Sequence, residues 1–154
     1  MRVIQILERV WRISWQDRLL LLEAILWLGV AGIAITLLPF RHVGRFAARP
    51  IRQPLPRDAR LEKIGRIRWA ITTTAARVPW RALCFQQGLA AQLMLRLKGI
   101  PSVLYYGAAQ DDRSGLYAHV WVRAGDIDVI GGEIAHHFSI LTTFPPQNIG
   151  ARKG

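Results

Sequence analysis

Two side chains in this chain could do covalent chemistry together. Cys84 is the only cysteine among 154 residues. Around it Ala82, Leu83, Leu89, Ala90, Leu93, Met94 and Leu97 form an apolar set at helical spacing. Pro79 suits the first turn of a helix, where a missing N–H costs nothing. The pattern predicts a buried helix with Cys84 near its start. The partial positive charge at a helix N-terminus favours a thiolate, and the free N–H groups there can hold an oxyanion. A nucleophilic thiol also needs a base, most often histidine. Tyr117-Ala118-His119-Val120-Trp121-Val122 supplies one on a strand-like run. In these roles Cys84 attacks a carbonyl carbon. His119 takes the thiol proton and returns it to the leaving amine. The backbone N–H of Cys84 is one oxyanion donor. Gln86 and Gln87 lie close by, and Gln87 suits capping or packing as well as donation. The same residue types also fit an inert cysteine that merely fills space.

The wider pattern is more informative. Cys84-x-x-x-Gly88-Leu89-Ala90 leads to Leu93-x-Leu95-Arg96-x-Lys98-Gly99-Ile100-Pro101-Ser102-x-Leu104-x-x-Gly107. Then come Ala118-His119-Val120-Trp121-Val122, Ile130-Gly131-Gly132 and Phe138-x-x-Leu141. A cysteine at a helix start followed by a histidine on a strand is the order used by papain-like and transglutaminase-like hydrolases. The stretch from Pro79 to Pro145 resembles the lasso peptide maturation proteases, transglutaminase-like proteins that remove the leader from a lasso peptide precursor. The His-x-Trp-Val element after a Gly-Ile-Pro turn is the most specific combination. The resemblance implies an α+β fold with a papain-like or transglutaminase-like core and an N-terminal helical extension. It implies a cysteine peptidase with Cys84 and His119 as catalytic residues and no cofactor. The implied partners are the lasso peptide precursor, a separate leader-binding protein and an ATP-dependent lasso cyclase. Two rivals stand beside it: a transglutaminase-like scaffold that only binds partner proteins, and a small membrane-associated protein built on Leu19–Phe40.

The group that would orient His119 stays open. In the resembling family an aspartate follows on the strand after the histidine. Here a hairpin turning at Ala124-Gly125-Asp126 sets His119 opposite Gly131, give or take one residue. Asp128 lies a few residues back and Glu133 just beyond. A two-residue turn favours the face of Asp128 and a three-residue turn that of Glu133, because one slipped residue reverses every side chain. A backbone carbonyl or a water on the second ring nitrogen is the remaining choice. His42 and His136-His137 suggest no metal site, since adjacent histidines on a strand point to opposite faces and no carboxylate or cysteine sits at ligand spacing.

The elements that must position these residues differ in clarity. Val3, Ile6, Leu7, Val10, Trp11 and Ser14 predict a first amphipathic helix. Leu19 to Phe40 carries Glu23 as its single charge and barely reaches the length of a membrane span. Pro39 closes the run, and Arg18 and Arg41 flank it on both sides and set no orientation. The resembling family, soluble with an apolar helix ending in Pro-Phe-Arg as Pro39-Phe40-Arg41 does, implies a buried helix that packs or binds a partner, with a membrane span as the alternative. His42 to Arg60 reads as a loop rich in proline and arginine. Asp58 is the expected cap of a helix from Ala59 to Val78, with Ile64, Ile67, Ala70, Ile71 and Thr74 on one face. Its Arg60, Lys63, Arg66, Arg68 and Arg77 form either a solvated face or a docking surface for an acidic precursor. Lys98-Gly99 ends the cysteine helix. Ser102–Gly107, Leu116–Arg123 and Ile127–Ile130 read as antiparallel strands, with a polar turn at Gln110–Gly115. The expected division is an extension and connection over 1–60 and a catalytic domain over 61–154, in one folding unit.

Composition bounds the function. The chain carries 21 Lys and Arg against 10 Asp and Glu, a formal net charge of +11. That balance favours acidic partners such as an anionic membrane surface or an acidic peptide. No nucleic-acid module is recognisable, so no nucleic-acid partner is expected. One cysteine allows no intramolecular disulfide, and no signal peptide is evident, so a cytoplasmic setting is expected, with membrane-surface contact through the N-terminal helices.

Overall fold

The computed structural model describes residues 14–111 and 115–148. Among these, four helices precede a sheet: α1 (Trp15–Leu37), α2 (Phe40–Ala47), α3 (Arg57–Ala75) and α4 (Cys84–Leu97). The strands are β1 (Val103–Asp111), β2 (Gly115–Ala124), β3 (Ile127–Ile130) and β4 (Ser139–Phe144), with a 3-10 helix at Gly132–His137 before β4. All pairings are antiparallel, in the order β3-β2-β1-β4. This is the α+β class read from the sequence. The first helix expected from Val3 lies outside the described residues, apart from Ser14. Residues 112–114 of the expected polar turn lie outside them too.

α4 is the central element. Leu89, Ala90, Ala91, Leu93, Met94 and Leu95 are buried almost all round, because α1, α3 and the sheet enclose it. A helix surrounded in this way must be apolar on every side, which is how its sequence reads. Lys98 caps it and Gly99 follows at φ 73°, the left-handed turn expected of a glycine just past a helix end. Buried Gln92 breaks the apolar run. Its Nε2 lies 3.0, 3.1 and 2.9 Å from the carbonyls of Ala47, Ser102 and Phe144, joining α4 to α2, to the entry of β1 and to the end of β4.

α1 begins at Ser14, whose hydroxyl accepts from the N–H of Asp17. The Ser14 hydroxyl, and then Arg66 at 2.8 Å, hold the Asp17 carboxyl below its ordinary range. Leu20, Ala24, Leu28, Ala31 and Ala34 are buried, a stripe at helical spacing whose alanines let neighbouring helices come close. The expected burial is therefore only half realised. Trp15, Leu19, Leu22, Leu26, Ile33 and Leu37 on the remaining surface are exposed. By length and composition α1 could cross a membrane, yet one stripe of it belongs to the core.

Three further expectations need correction. The segment after Pro39 is not all loop: Phe40–Ala47 is helical, with Val43, Gly44 and Ala47 turned inward. Pro39 ends α1 and also stands as the N-cap of α2, because its fixed φ suits the residue just before a helix. α3 starts at Arg57 rather than Ala59 and stops at Ala75. Asp58 lies in its first turn, favourable to the helix dipole, but does not cap it. The buried face Ile64, Ile67, Ala70, Ile71 and Thr74 is as expected. Four of the five basic residues named on α3 make contacts within the chain. Arg66 pairs with Asp17, Arg60 donates to the carbonyl of Leu55, and Arg77 donates to that of Thr73. Arg68 donates to the carbonyls of Val129 and Asp128, and so holds β3 against α3.

Candidate active site

The N-terminus of α4 is built by the loop before it. α3 closes with the N–H groups of Ala76, Arg77 and Val78 returned to Thr72 and Thr74. Pro79 to Leu83 then runs outside any helix, so Pro79 is not in the first turn as the sequence suggested. Leu83 is the N-cap at φ −68° and ψ 164°, with no side-chain cap. The first backbone bond of the helix runs from the N–H of Gln87 to the carbonyl of Leu83, at 3.0 Å. The N–H groups of Cys84, Phe85 and Gln86 therefore have no intrahelical acceptor. Cys84 is the first helical residue and its side chain is exposed. The thiol thus stands where the helix dipole is strongest, beside donors able to meet an oxyanion.

The two glutamines have structural work. Gln87 donates to the carbonyl of Ala82 at 2.7 Å and braces the loop in front of Cys84. Gln86 is buried and donates to the carbonyl of Leu28 at 2.7 Å, which fixes the first turn of α4 to α1. A Cβ at Gly32 would lie 2.7 Å from Gln86 Nε2, so a glycine there makes room for this bond.

His119 lies in β2 opposite Gly107 and is half-buried. Its ring packs on Phe138 with centroids 4.9 Å apart and stacks with Trp121 at 6.1 Å. A Cβ at Gly107 would meet Trp121 and Phe138 at 2.9 and 3.0 Å, so the missing side chain admits this stack. His119 Nε2 is 2.8 Å from the carbonyl of Gly131. A carbonyl can only accept, so Nε2–H donates in this bond, and in the neutral tautomer that makes it the lone pair lies on Nδ1. Gly131 stands at φ 72°, and a Cβ there would lie 2.6 Å from the carbonyl of Val120 and 3.1 Å from Nε2.

Neither carboxylate reaches the imidazole. A two-residue turn pairs Ala124 with Ile127, and a bulge follows between Arg123 and Val122. Asp128 pairs with Arg123 at 2.8 Å. Glu133 is exposed on the 3-10 helix. His136 and His137 are on that same helix rather than on a strand, both exposed, with rings 3.9 Å apart. No group of three potential metal ligands occurs among the described residues.

Cys84 and His119 are related through one tight contact. A Cβ at Gly88 would lie 2.6 Å from Val120 Cγ1. Gly88 is one helical turn past Cys84, and Val120 is the neighbour of His119. Val120 and Val122 point at α4, so strand alternation sends His119 and Trp121 to the other side. Among the described residues no hydrogen bond joins the thiol to the ring. The family model of the transglutaminase-like superfamily matches residues 25–143, from within α1 to the end of β4. The chain belongs to the transglutaminase-like superfamily. Its members are typically cysteine-protease-like. No curated protein and no solved structure matches the chain. The transglutaminase-like match takes in most of α1 as well as Cys84 and His119, so the apolar helix in front is part of what the family model recognises.

Proposed function

We propose that this transglutaminase-like protein is a cysteine peptidase that removes the leader from a ribosomally made lasso peptide precursor. Cys84 is the nucleophile and His119 the base. The observation that carries the reading is the exposed thiol at the first residue of the central helix, beside unclaimed N–H groups. Sγ attacks the scissile carbonyl carbon while Nδ1 of His119 accepts the thiol proton. The oxyanion falls to the N–H groups at the start of α4. The proton passes to the departing amine, which leaves the leader as a thioester on Cys84. Water then hydrolyses the thioester and frees the thiol. In this structure His119 sits on the face of β2 turned away from α4, packed on Trp121 and Phe138, so the proposed proton transfer requires the ring and the thiol to be brought together when substrate binds. The lasso peptide precursor, a separate leader-binding protein and an ATP-dependent cyclase complete the proposed system. Its setting is cytoplasmic, with the exposed face of α1 available to a membrane surface.

One observation favours a second reading. The unjoined thiol and imidazole, and the absence of a carboxylate on His119 among the described residues, suit a scaffold that binds partners without cutting them. Incubation of the purified protein with precursor and leader-binding partner separates the two. Mass spectrometry is expected to find free leader and free core; uncut precursor would favour the scaffold.

The same assay tests the oriented ring. If the carbonyl of Gly131 fixes His119, Glu133→Gln should keep kcat/KM within about threefold, as for a surface change far from the chemistry. An orienting carboxylate would instead cost on the order of 10⁴ in kcat. A loss of that size would assign the third role to Glu133.

A further inference from the structure

The groove beside Cys84 is unused by the mechanism above. Ile33 and Leu37 of α1 are 62% and 73% exposed, and Leu83 of the loop is 61% exposed. With Trp80, Phe85 and Gly29 they wall a groove of about 770 Å³. Small-molecule and cofactor sites occupy roughly 300–1,000 Å³ and are mostly apolar with a few polar groups. Leu83 and Phe85, which line the groove, are the chain neighbours of Cys84, while the thiol itself is not part of its wall. Nothing lies within 4 Å of a Cβ built at Gly29, so the groove is open along that helix face. Arg81 also lines it, exposed and without a hydrogen bond or ion pair among the described residues. An unpaired cation at the edge of an apolar groove, on a chain of net charge +11, complements an acidic ligand.

We infer that this groove is a specificity subsite for a peptide, taking one large apolar side chain near the scissile bond while Arg81 meets an acidic neighbour. The inference rests on Cys84 being the nucleophile. A reacting carbonyl carbon must come within about 3–3.5 Å of Sγ. An extended peptide advances about 3.3 Å per residue, so a side chain one or two residues away reaches the groove.

The test uses binding, not cleavage. Cys84 is the only thiol, so its alkylation by iodoacetamide, followed by intact mass, reports access to this one site. The probes are capped hexapeptides bearing leucine beside aspartate, with alanine or lysine replacing one or the other in the controls. At about four times its dissociation constant the leucine–aspartate peptide should slow alkylation about fivefold, because the open fraction falls as 1/(1 + [L]/Kd). The control peptides should slow it less than about twofold under the same relation. Gly29→Leu, whose Cβ would meet nothing within 4 Å and whose branched end would occupy the groove, should remove the protection. Arg81→Glu should transfer it to the lysine peptide. Equal protection by all peptides, or protection that survives Gly29→Leu, would overturn the subsite. So would protection by anionic phosphatidylglycerol vesicles where no peptide protects. Selective peptide protection without cleavage of precursor would count against the peptidase reading, and with it against a specificity subsite, and would leave the groove as a peptide-binding site only.

Discussion

Cys84→Ala is expected to abolish leader removal while the protein stays folded. The substitution deletes one sulfur atom from an exposed position that contributes nothing to the core. A surface change of that size alters stability by at most about 0.5 kcal/mol. Loss of a nucleophile that acts as a unit with its base costs far more in rate, on the order of 10⁴-fold or beyond. The two effects separate cleanly. Thermal melts of parent and variant should superimpose, while cleavage of the precursor, with the leader-binding partner present, should fall below detection. Undiminished cleavage by a folded Cys84→Ala protein would move the chemistry elsewhere.

Gly88→Ala is expected to disturb both fold and site. The added methyl would lie 2.6 Å from Val120 Cγ1, closer than real side chains approach. Val120 is 1% exposed, and its short β-branched side chain has little freedom to swing aside. Overpacking of this kind costs about 1–3 kcal/mol. The gain of alanine over glycine in a helix, up to about 1 kcal/mol, offsets only part of it. At roughly 2–4 °C per kcal/mol for a chain of this size, the melting temperature should drop by several degrees. Cleavage should weaken as well, because this contact sets α4 against the strand that carries His119. Val120→Ala on the same chain removes the offending methyl groups, so the double variant should melt above the sum of the two single changes. Gly88→Ala melting at or above the parent would show that the approach of α4 to β2 is not tight.

The residues nearest the chemistry were the most legible. The helix carrying Cys84 announces itself through apolar positions that recur on every face, and its end through Lys98 and Gly99. The strand carrying His119 is marked by its run of valine and aromatic residues, and the hairpin after it turns at Gly125 and Asp126. What was hidden depends on partners distant in the chain. The start of α4 moved from Pro79 to Cys84 because α3 closes on its own carbonyls and leaves Trp80 to Leu83 to wrap past α1. The group on His119 is a backbone carbonyl, which has no signature in the residue types. The acceptors of Gln86 and Gln92 are likewise backbone carbonyls from far along the chain. Arg68 looked like part of a docking surface because its role as a tie to β3 appears only once the sheet is in place. Beyond Glu23 α1 is apolar all round, so its sequence could not say that one stripe enters the core while Leu26, Ile33 and Leu37 stay in the open.

The most direct test of Cys84 as nucleophile follows from its being the only cysteine. Protein samples are carbamidomethylated to graded extents, the modified fraction of each is read by intact mass, and leader release is measured on the same samples. The expected result is a straight line from full activity at no modification to none at complete modification of the single thiol. Precursor cleaved at the parent rate by fully alkylated protein would contradict the account.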